Sequence, residues 1–154
     1  MPQPDQTRSS LLPHWLICAA MLLLLMVYNL VCHLYPMQIR SEFDESQRLI
    51  LRNVLYALAI ITFPLTNLLR HILLRLNQTM PGDKSAAQRY LPTILITQSM
   101  IAGVSVFGPI MFVLGDDYNT LTIYSVLGVL GIFLHRPKIG EHDAIAEALA
   151  AKHN

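Results

Sequence analysis

The residues of this chain best suited to chemistry are its histidines, its two cysteines and a cluster of bases. Two imidazoles facing each other at one depth in a membrane ligate haem iron axially, and among the six histidines a pair such as His71 with His135 is placed to do this. His14 falls near the same end of the apolar stretches and His33 near the opposite end. Each neighbours a chain end or an arginine, where histidine serves as an ordinary amphipathic interfacial residue, so neither a haem nor any other cofactor or metal is expected. Cys18 and Cys32 stand 14 positions apart on one apolar run, about 21 Å along a helix axis, which is too far to bridge. A Cys-x-x-Cys pair, a glycine-rich phosphate loop, a Gly-x-Ser-x-Gly elbow and a His-Glu-x-x-His zinc motif do not occur in the sequence, and with them goes the chemistry each supports. The remaining catalytic candidates, Arg70, His71, Arg75, Lys84 and Arg89, are expected to hold the anionic headgroups of a cytoplasmic leaflet. The chain is read as non-enzymatic.

Polar groups at depth are few. Asn29 and Gln98 are the two amides placed to contact a solute or a quinone; the expectation is that they bond between helices, at about 0.6 kcal/mol each. No Asp, Glu or Lys lies inside an apolar run, and the arginines sit at the ends, which disfavours an autonomous proton or cation translocator. Small residues mark where helices can approach closely. Ser99, Gly103 and Gly108 recur on one run and Ser125, Gly128 and Gly131 on the next, and the two faces are expected to meet each other or a second chain. Pro64 and Pro109 each deprive a carbonyl, of Ile60 and of Ser105, of its helical donor, with nearby hydroxyls such as Thr62 and Thr66 available to repair the ladder.

These groups need elements to hold them, and the composition names the elements. Of 154 residues, 53% are hydrophobic and only 14% charged, against about 25% charged in a soluble domain. Apolar runs at 11–35, 53–69, 90–114 and 118–135 reach the length of roughly 17–25 residues that crosses a hydrocarbon core. The first is read as a retained anchor, because it runs past the limit of a signal peptide without a small-x-small site. The second is bounded by Arg52 and Arg70, both expected to snorkel outward. Gly115-Asp116-Asp117 between the last two runs predicts a tight helical hairpin.

The chain is thus expected to be all-α, an integral four-helix membrane bundle of two hairpins forming a single membrane domain, with a tail over 136–154. Arg8, Arg70, Arg75, Lys84, Arg89, Arg136, Lys138 and Lys152 fall on one side of this topology, and Arg40, Arg48 and Arg52 on the other. That excess places both termini in the cytoplasm, with the acids of the other side (Glu42, Asp44, Glu45, Asp116, Asp117) outside. The tail from Glu141 to Lys152 reads as a short Ala-rich helix with Ile145 and Leu149 on one side, able to dock on the membrane surface or a partner but expected to fray. A net charge of +1 without a basic face disfavours nucleic acid as a partner.

Phe107-Gly108-Pro109-Ile110-Met111-Phe112-Val113-Leu114-Gly115-Asp116-Asp117, followed by an apolar span closing on His135-Arg136-Pro137-Lys138, resembles a group of small uncharacterised bacterial inner-membrane proteins with four spans. Their second hairpin is in turn similar to subunit c of ATP synthases. The resemblance covers about a third of the chain and implies a close-packed hairpin able to associate. It stops short of rotor chemistry. The position where the group often carries an acid is Ala102 here, with uncharged Gln98 a turn earlier, and the rotor's termini lie on the outer side, opposite to the charge count.

The leading expectation is a multi-pass protein of a bacterial inner (plasma) membrane, acting by lateral helix association as an accessory or assembly subunit. Its partners would be membrane lipids and either further copies of itself or another membrane protein. A subunit of a small-solute transporter, using Pro64, Pro109, Asn29 and Gln98, is the alternative, and a haem-b electron carrier a further one.

Overall fold

The computed structural model describes residues 11–41 and 43–153; Arg8 and Glu42 of the charge count lie outside the described residues, as does the side chain of Lys152. The described chain is helical, in the order α1 (Leu12–Leu34), α2 (Pro36–Ile39), α3 (Glu45–Thr79), α4 (Ala86–Val113), α5 (Tyr118–Leu134) and α6 (Ile139–His153). Four helices are long and apolar enough to cross a membrane, the fourth counted from Tyr118 to Ala151 through the corner between α5 and α6.

Local chemistry sets the helix boundaries. Pro13 in the first turn opens α1, where a missing N–H costs nothing. Asp44 caps α3 by accepting from the Gln47 N–H, and the neighbouring Glu45 suits the positive end of the helix dipole. Ser85 and Gln88 form a reciprocal capping box at the start of α4. Gly115, at φ +86°, terminates α4. Its N–H bonds Phe112 O and that of Asp116 bonds Met111 O, the Schellman pattern that reverses the chain into α5.

Packing centres on α4. It seats α5, α3 and α1 around itself, whereas α1 and α3, consecutive long helices, share no comparable seam. The first pair is therefore held on α4 rather than closed on itself. Glycines let α5 approach. A Cβ on Gly128 would stand 2.5 Å from Ser105 Cβ, one on Gly131 2.5 Å from Ile101 Cγ2, and one on Gly108 3.0 Å from Tyr124 Cβ. Leu55, Ala59, Val104, Met111 and Tyr124 fill the core between α3, α4 and α5, while Cys18, Leu25, Ile101 and Ile132 fill that between α1, α4 and α5.

Two features depart from the sequence expectation. The second span is not 17 residues but the middle of a 35-residue helix, about 52 Å long, because Arg52 and Arg70 sit within the helix instead of ending it. The tail does not fray: α6 returns to the bundle and buries Ile145 completely against Leu11, Ala86, Tyr90 and Ile94. Both α3 and α4 run unbroken through their prolines. The hydroxyls of Thr62 and Thr66 bond Leu58 O and Thr62 O, one turn back along their own helix, and neither reaches the Ile60 carbonyl that Pro64 frees.

Candidate functional site

At the end of the bundle that carries Leu11 and α6, four helices converge on one guanidinium. Arg70 leaves α3 and turns into the protein, keeping 4% of its surface exposed, where outward snorkelling was expected. Its length allows this. The side chain spans the gap to the α5–α6 corner, and there each of its three nitrogens finds an acceptor. Nη1 donates to His135 O at 2.6 Å, Nη2 to Arg136 O at 2.9 Å and to Glu141 Oε2 at 2.7 Å, and Nε to the same carboxylate at 3.2 Å. The two carbonyls belong to the C-cap His135 and the residue after it, just past the end of α5, where unpaired acceptors and the negative end of the dipole favour a cation. Glu141, in the first turn of α6, supplies the countercharge.

Tyr90 of α4 completes the clasp. Its hydroxyl donates to Glu141 Oε2 at 2.7 Å and accepts from Arg70 Nη2 and from the Lys138 N–H, both at 3.1 Å. The His14 ring of α1 stacks on Tyr90 with centroids 5.2 Å apart, and its Nε2 lies 3.2 Å from Ala87 O. All five long helices thus meet at one polar cluster. A buried ion pair gains little over an apolar replacement but is costly to break, so the clasp fixes where α6 sits more than it adds net stability.

Beside it, a groove of about 440 Å³ runs past Pro64, Asn67, His71, Lys138 and Glu141. A neighbouring one of about 410 Å³ lies between Phe63, Asn67, Leu134 and His135. His71 lines the first and His135 the second, and His135 spends Nδ1 on Gly131 O at 3.0 Å. Among the described residues, no three His, Cys, Asp or Glu side chains group closely enough to hold a metal ion.

The basic cluster divides. His71, Arg75 and Lys84 are exposed, whereas Arg89 is buried and ties the α3–α4 loop from within: Nε donates to Lys84 O at 3.1 Å, Nη1 to Met80 O at 2.6 Å, and Nη2 to Gly82 O. Arg70 and Arg89 are therefore internal braces, not part of a lipid-facing basic surface.

Both singled-out amides point into the bundle. Asn29 Nδ2 donates to Leu25 O, and its Oδ1 accepts from the Ser125 hydroxyl at 2.9 Å, joining α1 to α5. Gln98 is fully buried and donates to Ile132 O at 3.2 Å, leaving Oε1 without a partner. Of the small residues, Gly108, Gly128 and Gly131 lie in the α4–α5 seam, while Ser125 meets Asn29 of α1. Ser99 and Gly103 do not meet α5; they are exposed on the outer face of α4, and a Cβ on Gly103 would touch nothing within 4 Å.

At the opposite end the first loop and the start of α3 lock onto the α4–α5 turn. Arg40 and Arg48 donate to Gly115 O at 3.0 and 2.9 Å, and Arg52 pairs with Asp116 at 3.2 Å. The sequence placed these groups on one side without pairing them. It also offered no pointer to Glu141 and Tyr90 as partners of Arg70; the available signal was an acid opening a helix just beyond a basic corner.

No protein-family model, curated protein or solved structure matches this chain.

Proposed function

We propose that this is a small inner-membrane protein with both termini in the cytoplasm, acting without catalysis by lateral association, as an accessory or assembly subunit for a second copy or another membrane protein. The observation that carries this reading is the outer face of α4. The helix that packs α1, α3 and α5 still presents Leu95, Ile96, Ser99, Gly103 and Ile110 outward. At Gly103 the backbone lies bare, with open space where a side chain would stand. In lipid, where no hydrophobic force drives helices together, small residues that let backbones approach are what an interface needs.

The Lys and Arg distribution supports the orientation. The compact α4–α5 hairpin is also what the resemblance to small four-span bacterial inner-membrane proteins would require.

The reading is tested by solubilising native membranes in mild detergent and comparing the wild-type chain with Gly103→Leu. The wild type is expected to migrate as a defined assembly, with itself or a fixed partner, and the variant to lose it while keeping Cys18 and Cys32 protected from thiol reagents. Wild-type protein found alone, or an assembly indifferent to leucine at 103, overturns the reading. Reporter fusions at residues 117 and 154 check the topology; activity placing residue 154 outside would reverse it.

A further inference from the structure

A second surface, unconnected with the outer face of α4, lies where the start of α1 meets the α5–α6 corner. A groove of about 730 Å³ opens there between Leu12 and Trp15 on one side and Pro137 and Ile139 on the other, with Arg136 and Lys138 at its rim. Its walls are apolar, and among the described residues its lining includes no acid. Among the described residues Arg136 has no carboxylate partner: its guanidinium lies over the Phe133 ring, 4.2 Å from the centroid, which holds the charge against apolar surface with its N–H edges outward. Lys138 is half-exposed, and its one ion pair, to Glu141, is long at 3.8 Å. Trp15, half-exposed, places an indole where aromatic residues settle at a membrane–water boundary. Below the groove the surface continues as exposed apolar side chains, Leu16 on α1 and Leu130 and Phe133 on α5.

We infer that this groove binds one anionic phospholipid, its phosphodiester on Arg136 and Lys138 and its acyl chains laid over Leu12, Trp15 and Phe133. Charge decides the headgroup. Two cations, Arg136 with no carboxylate partner among the described residues and Lys138 held only by a 3.8 Å pair to Glu141, favour a net-negative lipid, whereas a zwitterionic one would bring its own ammonium against the same guanidinium. Shape decides the tails, because the apolar walls join the exposed flank that α1 and α5 present along the bundle. A free phosphate would use the rim and leave the walls unfilled.

Trp15 is the one tryptophan of the chain, so occupancy of the groove can be read from its emission. The full-length protein is placed in bilayers of zwitterionic lipid doped with equal fractions of brominated phosphatidylglycerol or brominated phosphatidylcholine. Brominated phosphatidylglycerol should quench Trp15 more strongly, with an apparent preference of about fivefold for each cation. Arg136→Gln combined with Lys138→Gln should bring the two lipids to equal quenching. That pair keeps the Lys138 backbone N–H that Tyr90 accepts from. Arg75→Gln with Lys84→Gln, at exposed bases outside the groove, should leave the preference intact.

Equal quenching of the wild type by both lipids, a preference that survives in the groove variant, or one lost equally in the control variant would each overturn the inference. If the groove variant exposes Cys18 and Cys32 to thiol reagents, competition on the wild type decides. Unbrominated phosphatidylglycerol should restore emission and phosphatidylcholine should not; restoration by both overturns the site.

Discussion

Replacing Gly128 by alanine adds one methyl group at one of the two tightest points of the α4–α5 seam, and the structure gives its cost. The new Cβ would stand 2.5 Å from Ser105 Cβ and 2.8 Å from Leu25 Cδ1. Leucine can swing its terminal methyl aside, but Ser105 Cβ is fixed to the α4 backbone, and its hydroxyl is held by Tyr28 at 2.6 Å. The helices must therefore move apart, an overpacking that costs about 1–3 kcal/mol. For a chain of this length that is a midpoint lower by roughly 2–12 °C. Gly103→Ala adds the same methyl to the same pair of helices in open space, where helix propensity alone acts, favouring alanine by up to about 1 kcal/mol. Gly131→Ala falls between them, since the nearest atoms belong to the Ile101 side chain.

The assay is built into the chain. Cys18 and Cys32 are free and buried, so a fluorogenic maleimide reports the temperature at which the bundle opens in neutral detergent. The expected order of midpoints is Gly103→Ala, Gly131→Ala, Gly128→Ala, from high to low. Gly128→Ala melting at or above Gly103→Ala would refute the placement of the α5 glycines inside the chain.

Further outcomes follow from the two ends of the bundle. Arg70→Leu leaves the Glu141 carboxylate with only the Tyr90 hydroxyl and the long Lys138 pair and should cost about 1–3 kcal/mol, read in the same maleimide melt; a wild-type midpoint would contradict the clasp. With cysteine at position 145, the thiol should be protected in an otherwise wild-type chain and react freely once Glu141→Ala is added, which checks that the clasp seats α6. Gly115→Ala forces a left-handed residue and crowds Ser41 O at 3.1 Å, a loss of about 1–3 kcal/mol seen as a lower midpoint. Gln98→Leu, by contrast, removes a buried oxygen that has no partner and should shift stability by less than about 1 kcal/mol in either direction; a large loss would reveal a partner for Oε1.

Much of the helical layout can be read from one-dimensional pattern, because apolar run length is a local property. The Gly115 turn was legible for the same reason, as was the pairing of Asn29 with another helix in kind, though not its Ser125 partner. The bounds of α3 were not. An arginine on an apolar run reads as the end of a span, yet Arg52 and Arg70 each meet an acid far along the chain, and the helix passes beneath both. The true end signals, Asp44 with Gln47 and Pro81, lie outside the apolar run. The docking of α6 was equally hidden, since an Ala-rich segment carries little apolar pattern and its anchor depends on a residue 71 positions away. The small-residue faces could be found on each helix, but which of them met required the rotation of α4: the seam takes Gly108 and Ser105, and leaves Ser99 and Gly103 outside.

The same separation orders events during synthesis. Glu141 leaves the ribosome 71 residues after Arg70, on the order of 4–14 s later at 5–20 residues per second. Through that interval the Arg70 guanidinium waits for a countercharge that does not yet exist. A nascent chain interrupted before residue 141 never acquires it, and its Arg70 guanidinium is left without the carboxylate that closes the clasp.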